Sequence, residues 1–204
     1  MLTNHYVCGT CREEFHFSFR HACYHVGVSP IDKSVADTAL ISVPVRPAWC
    51  KDCGILAVAE DIAPLRAFED AYGAVRGGRI VEYPVETDGL DSTEAEKEVG
   101  RHLRWRMERR RAARVLCCGG SNYQWMDVER PLLKHAECEF GFIQSVFVIS
   151  SFCGPRPGTL SPADVRLFDP EGELIGLLTW RDRDQGAWEV EPARYPPAVD
   201  QPTL

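Results

Sequence analysis

Nine cysteines in a chain of 204 residues fall into a pattern that metal chemistry can use. Cys8 and Cys11 are separated by two residues, as are Cys50 and Cys53; Cys117 and Cys118 are adjacent, His135 and Cys138 form a His-x-x-Cys pair, and Cys23 and Cys153 stand apart. A C-x-x-C turn presents two thiolates on one side of the backbone, and two such turns complete a tetrahedral sulfur shell around zinc. Cys8, Cys11, Cys50 and Cys53 are therefore expected to form a closed four-cysteine site. It would be structural rather than catalytic, because no coordination position is left for water. Gly54, directly after the second pair, suits the sharp turn such a knuckle needs.

The second group of donors is Cys117, Cys118, His135 and Cys138. The segments Cys117-Cys118-Gly119-Gly120-Ser121 and His135-Ala136-Glu137-Cys138-Glu139-Phe140-Gly141 resemble the zinc-ribbon modules of uncharacterised bacterial proteins. In those modules C-x-x-C-G-S is followed by H-P-x-C-G-G, often with an N-terminal C-x-x-C and a distant C-x-x-C partner. The resemblance covers the ligand clusters and little between them, and it implies zinc ribbons at those clusters. Val115 stands where the pattern has its first cysteine. Three arrangements stay open: a site using Cys117 and Cys118 with His135 and Cys138; a three-ligand site of Cys118, His135 and Cys138 completed by water or another side chain; or a degenerate site without metal. The open three-ligand form is the one route to hydrolysis, because a metal-bound water ionises near neutral pH. Tyr6-Val7-Cys8-Gly9-Thr10-Cys11 also looks like the start of a rubredoxin-like iron site, and tetrahedral sulfur suits either metal. The second pair, Trp49-Cys50-Lys51-Asp52-Cys53-Gly54, lacks the proline that normally follows the first cysteine there, so zinc is the expected ion.

Composition narrows the setting. The chain is 45% hydrophobic and carries a net charge of −7, which argues for packed structure and against a wholly basic, nucleic-acid-coating surface. Without a basic and apolar leader at Met1-Leu2-Thr3-Asn4-His5-Tyr6, or a run of about 18–20 apolar residues, the sequence reads as cytoplasmic with no membrane segment. A reducing compartment also favours metal ligation over a disulfide framework for so many cysteines. Charge is unevenly placed: residues 1–92 sum to −5, 93–116 to +4 and 117–204 to −6. The positive block holds Arg101, Arg104, Arg106, Arg109, Arg110, Arg111 and Arg114. It could face phosphates, or it could pair with the protein's own acidic flanks, which would repel a polyanion.

The elements that must position these groups follow from periodicity. Phe15, Phe17 and Phe19 alternate with polar residues, and the same register continues through His21, Cys23 and His25, the pattern of one strand. The run Ala39 to Val45 predicts a strand returning to the second knuckle, and Ile55 to Ala59 another. Ile62, Leu65, Phe68, Tyr72 and Val75 predict an amphipathic helix ended by Gly77-Gly78, followed by a strand from Arg79 to Val85. A helix is expected from Thr93 to Leu116, capped by Ser92 or Thr93, with a narrow apolar stripe of Val99, Leu103, the Arg106 stem and Met107. Phe140 to Ile149 reads as a central strand, Val165 to Phe168 and Leu174 to Trp180 as a hairpin, and the proline-rich end from Pro192 as extended.

Together these readings predict an α+β protein containing zinc ribbons, with small antiparallel sheets and an intervening Arg-rich helix. Its parts would be a four-cysteine zinc-ribbon module over 1–92, a basic linker helix over 93–116, a C-terminal antiparallel sheet with a degenerate ribbon over 117–191, and a tail over 192–204. No phosphate-binding loop, dinucleotide fingerprint, nucleophile elbow or H-E-x-x-H is present, and His135-Ala136-Glu137 lacks the P-C-x-x-C that would complete a deaminase signature. The expected function is therefore non-enzymatic: a zinc protein that binds another protein, as an inhibitor or immunity-like partner or a regulatory adaptor. The alternatives are nucleic-acid binding through Arg101 to Arg114, and zinc-dependent hydrolysis at the second cluster.

Overall fold

Leu40–Cys50 (β5) is the spine of the molecule, and its two prolines show how it is paired. Proline has no N–H for a strand ladder. Here the carbonyls of Pro44 and Pro47 accept from the N–H groups of Asp61 (2.8 Å) and Met126 (2.9 Å). Up to Pro44, β5 pairs antiparallel with His21–His25 (β3); from Val45 onward it pairs with Ile55–Glu60 (β6), and over Ala48–Cys50 also with Tyr123–Trp125 (β7).

These strands belong to an eight-stranded sheet that continues from β3 through Arg166–Phe168 (β10), Leu174–Thr179 (β11) and Ala187–Pro192 (β12) to Ser34–Ala36 (β4). A second, four-stranded sheet has the order β2-β1-β9-β8, built from His5–Cys8 (β1), Glu14–His16 (β2), Leu132–Lys134 (β8) and Phe142–Ser145 (β9). The computed structural model describes residues 5–16, 21–27, 33–127, 132–145, 166–179 and 186–192. The chain is thus α+β, mostly sheet, with two α-helices among the described residues.

Leu65–Arg76 (α1) forms as its periodicity predicts, burying Phe68, Ala71 and Val75 and ending at Gly77, with Gly78 in the left-handed region at φ +73°. The second helix, Ser92–Glu108 (α2), is shorter than expected and begins one residue earlier. Asp91 caps it, accepting from the N–H groups of Thr93 and Glu94, while Glu94 reaches back to the Asp91 N–H in a capping box. Its buried face is Ala95, Val99, His102 and Trp105 rather than the Leu103 and Met107 side, because His102 turns onto β5 and Trp105 onto β3. Arg109 leaves the helix in an extended conformation, so the last four arginines of the block are not helical.

Both helices cover one face of the large sheet, in a core containing Tyr24, Ile41, Val43, Val58, Phe68, Val99 and Trp105. A separate core of Tyr6, Cys8, Trp49, Leu56, Met126, Leu133 and Ile143 joins the small sheet to the far half of β5 and β6.

Several sequence expectations change. Residues 79–85 contain no strand. The aromatic run from Phe15 divides into β2 and β3, which lie in different sheets, with residues 17–20 outside those described. The hairpin β10–β11 forms, and Asp169 shapes its turn by accepting from the N–H groups of Glu171 and Glu173. Of the expected strand from Phe140, residues 142–145 form β9, and residues 146–149 lie outside those described, as do Cys153 and the tail beyond 192. The expected division into residues 1–92 and 117–191 does not coincide with the sheets: β1 pairs with β9, β3 runs parallel to β10, and β4 pairs with β12. Local periodicity predicts strands but not their distant edge partners, and here those partners interleave the two halves of the chain.

Candidate metal centres

The first knuckle starts where β1 ends. After Cys8 the chain folds back, with the Cys8 N–H donating to Glu13 O (2.9 Å) and the Arg12 N–H to Cys8 O (3.0 Å), and Arg12 takes φ +64° to make the turn. The register Cys8↔Ile143 and Lys134↔Phe142 places the loop after β8 at the same end of the small sheet. That loop is closed by three backbone bonds: His135 N–H to Gly141 O, Cys138 N–H to His135 O and Gly141 N–H to Cys138 O, at 2.9, 3.1 and 3.1 Å. Donor atoms of Cys8, Cys11, His135 and Cys138 consequently lie within 4.8 Å of one another. Cys8 and His135 are buried and Cys11 is exposed. Gly141 is obligatory: a Cβ there would sit 2.5 Å from Cys8 Sγ and 2.7 Å from Cys138 Sγ, well inside contact distance.

The second knuckle joins β5 to β6. Gly54 N–H donates to Cys50 O (2.9 Å) with Gly54 at φ +67°, and the Cys53 N–H points at Cys50 Sγ (3.4 Å). Facing it is the turn from Val115 to Gly120, closed by Gly119 N–H to Val115 O (2.9 Å) and Val115 N–H to Gly120 O (3.0 Å), with Gly119 at φ +72°. Asn122 ties the turns together, donating from Nδ2 to Asp52 Oδ1 (2.7 Å) and accepting at its carbonyl from the Lys51 N–H (2.9 Å). Cys50 Sγ is 3.7 Å from Cys118 Sγ, and Cys53 Sγ is 3.8 Å from Cys117 Sγ. All four sulfurs form one group. Val115, at the position where the ribbon pattern has cysteine, is bridged to Ala59 and buried against Ala48, Cys50 and Ala57. Cys117 supplies the thiol instead.

The structure therefore corrects the expected ligand grouping. Cys8 and Cys11 do not share a site with Cys50 and Cys53; each C-x-x-C pair takes its partners from the later segment, one from His135 and Cys138, the other from Cys117 and Cys118. The cause is topological, since a C-x-x-C turn defines half a shell and strand pairing decides which second half meets it. Neither the set Cys117, Cys118, His135 and Cys138 nor the three-ligand set Cys118, His135 and Cys138 comes together, because Cys118 belongs to the other group.

Within each group the first cysteine of the C-x-x-C is the more acidic. Against the opposing effect of burial, the N–H groups of Cys11 and Thr10, with the side chains of Cys11 and His135, bring the Cys8 thiol down to about 6. Cys50 is likewise lowered against burial by the Cys53 N–H and the thiols of Cys117, Cys118 and Cys53. Burial and the neighbouring thiols of Cys118 and Cys50 push Cys53 up to about 11. Crowded thiols that cannot all ionise are groups that a cation would draw into the thiolate form, releasing protons. Three sulfurs plus an imidazole, and four sulfurs, are donor sets suited to a soft or borderline tetrahedral ion.

Cys23 joins neither group. It lies in β3 beside Val35, Leu40, Leu167 and Leu178, and burial together with Asp37 raises its thiol to about 11.

Two polar features were not legible in the sequence. Glu13 brings its carboxylate 3.3 Å from His135 Nε2. Glu60, wholly buried, accepts from Tyr24 OH, from Arg109 Nη2 at 2.5 Å and from the Arg114 N–H at 2.9 Å. The Arg109 guanidinium also lies over the rings of Trp105 and Tyr24, 5.4 and 5.6 Å from their centroids. An acidic residue ending an apolar strand was the available signal for Glu60. Its partner, 49 positions away, was not.

Much of the arginine block is engaged inside the molecule. Arg101 pairs with Glu98 and donates to Leu40 O, Arg106 donates to Ala63 O, and Arg111 and Arg114 both pair with Glu173. No helix among the described residues is long and apolar enough to cross a membrane. Comparison with protein-family models, curated proteins and solved structures finds no match to this chain.

Proposed function

We propose that this chain is a non-enzymatic protein that holds two structural zinc ions and acts by binding another protein. The observation that carries the reading is the composition of the two groups: each supplies four donors, and each joins a knuckle from early in the chain to one from late in the chain. Four protein donors leave no position for a reacting water, which supports staples rather than catalysts. The protein-binding part is supported by the exposed face of the small sheet, where Leu132 and Phe142 are about half exposed and nearby Phe140 is 76% exposed, while Leu133 and Ile143 between them point into the core. Apolar groups displayed together next to a rigid centre are characteristic of contact surfaces.

The nucleic-acid reading has less support, because Arg101, Arg106, Arg109, Arg111 and Arg114 already have partners in the molecule. The test is elemental analysis of freshly purified protein, followed by chelation monitored by circular dichroism. About two zinc ions per chain, with loss of tertiary structure on their removal, is the expected result. One ion or none, or tight nucleic-acid binding that weakens steeply with salt, would overturn the proposal.

A further inference from the structure

The His135 ring is held so that its two nitrogens face different chemistry. Nδ1 lies 3.4 Å from Cys11 Sγ, inside the group of donors, and Nε2 lies 3.3 Å from Glu13 Oε2. The ring is 1% exposed and is packed edge-on against Phe15 and Trp49, with centroids 5.5 and 5.3 Å away, so the plane that sets these directions is fixed by the core. Among the described residues Nε2 makes no hydrogen bond, which leaves a buried polar nitrogen with the Glu13 carboxylate 3.3 Å away. A buried N–H without an acceptor is costly, and a histidine that ligates through one nitrogen commonly gives its other N–H to a carboxylate.

Resting on the two-metal reading above, we infer that His135 coordinates through Nδ1 and that Glu13 is the positioning residue of this centre, accepting the Nε2 proton and holding the imidazole in the tautomer whose Nδ1 lone pair is free for the metal. Glu13 is well placed for the task. Its own carbonyl accepts from the Cys8 N–H, so the loop that carries two ligands also carries the group that orients the third. The rival arrangement is ligation through Nε2 together with the carboxylates of Glu13 and Glu137, whose donor atoms lie within 4.8 Å of the same ring. It would leave Cys8, Cys11 and Cys138 without their nitrogen ligand.

Zinc-loaded, 15N-histidine-labelled full-length protein distinguishes these by long-range 1H–15N correlation. The expected spectrum has His135 Nδ1 shifted as a metal-bound nitrogen and Nε2 protonated, with the resonances assigned by their loss in His135→Asn. Chelator competition should then show that Glu13→Ala lowers zinc affinity at this centre by about 10–100-fold and leaves the four-sulfur centre unchanged. Glu13→Gln, whose amide oxygen can still accept the proton, should recover part of the loss. Zinc bound to His135 through Nε2, or affinity unchanged in both Glu13 variants, would overturn the inference while leaving the two-metal reading intact. A protein that takes up no metal at this centre would overturn both.

Discussion

Because each knuckle from the start of the chain closes on one from further along, substitutions within a group and between groups should combine differently. Cys11 and Cys53 are the sensitive positions, since both are exposed and replacing either thiol with a hydroxyl disturbs little packing. Cys11 and His135 are 124 positions apart, and Cys53 and Cys117 are 64 apart. Treated as cross-links, bridges over loops of that size remove about 5 and about 4 kcal/mol of chain entropy from the unfolded state. Each is a large share of a typical net stability of about 5–15 kcal/mol.

Elemental analysis after gel filtration should give two zinc ions per wild-type chain, one for Cys11→Ser, one for Cys53→Ser and none for the double variant. Urea unfolding should show the second loss adding to the first in Cys11→Ser/Cys53→Ser. In Cys11→Ser/Cys138→Ser the second substitution should cost little more, because that metal is already gone. A Cys11→Ser/Cys53→Ser protein that keeps one zinc, when each single variant also keeps one, would refute the grouping, since a site shared by Cys8, Cys11, Cys50 and Cys53 is lost whole with either substitution.

Replacing Glu60 with Gln leaves the Arg109 guanidinium, 1% exposed, without its counter-charge; breaking a buried pair on one side is expected to cost about 3–5 kcal/mol, measured as a shift in the urea midpoint. Acid sensitivity should have a component from the β10–β11 turn. The Arg111 and Arg114 side chains hold the Glu173 carboxyl below its ordinary 4.5, and Glu171 is held below the same value, against the opposing effect of burial, by the N–H groups and charges of the 109–111 segment. Groups lowered in the folded state add stability that is complete above the unfolded value and disappears as pH falls through the folded one. The stability difference between wild type and Glu171→Gln/Glu173→Gln should therefore be constant near neutrality and shrink below pH 4.5; a gap that widens on acidification would contradict it.

Short-range information was readable in the sequence where the physics is short-range. Six of the eight candidate donors could be named because C-x-x-C and H-x-x-C spacings are properties of a single turn, Cys117 and Cys118 because they precede Gly119 in the ribbon-like segment, and α1 could be placed because Leu65, Phe68, Tyr72 and Val75 recur at spacings of three and four. The end of α2 was harder to read. Arg109 is an acceptable helix former, and what draws it out of the helix is Glu60, buried at the end of a strand that precedes both helices. Pairing of the same arginines with the protein's own acidic groups was one of the two readings open in the sequence, and the fold decided that Glu60 and Glu173 are among the partners.

What the sequence alone determined was chemistry and local form: thiols in paired turns, a donor inventory suited to tetrahedral metal, an amphipathic helix and a hairpin. Tertiary structure decided which half-shell meets which. Pairing β1 with β9 carries Cys8 and Cys11 to His135 and Cys138, while the Ala59–Val115 bridge carries the Cys117–Cys118 turn to Cys50 and Cys53. Thiolates are interchangeable to a metal, so nothing in their spacing distinguishes one partner from another. The distinction is made by backbone hydrogen bonds between strands far apart in the chain, and these exist only once the sheets have formed.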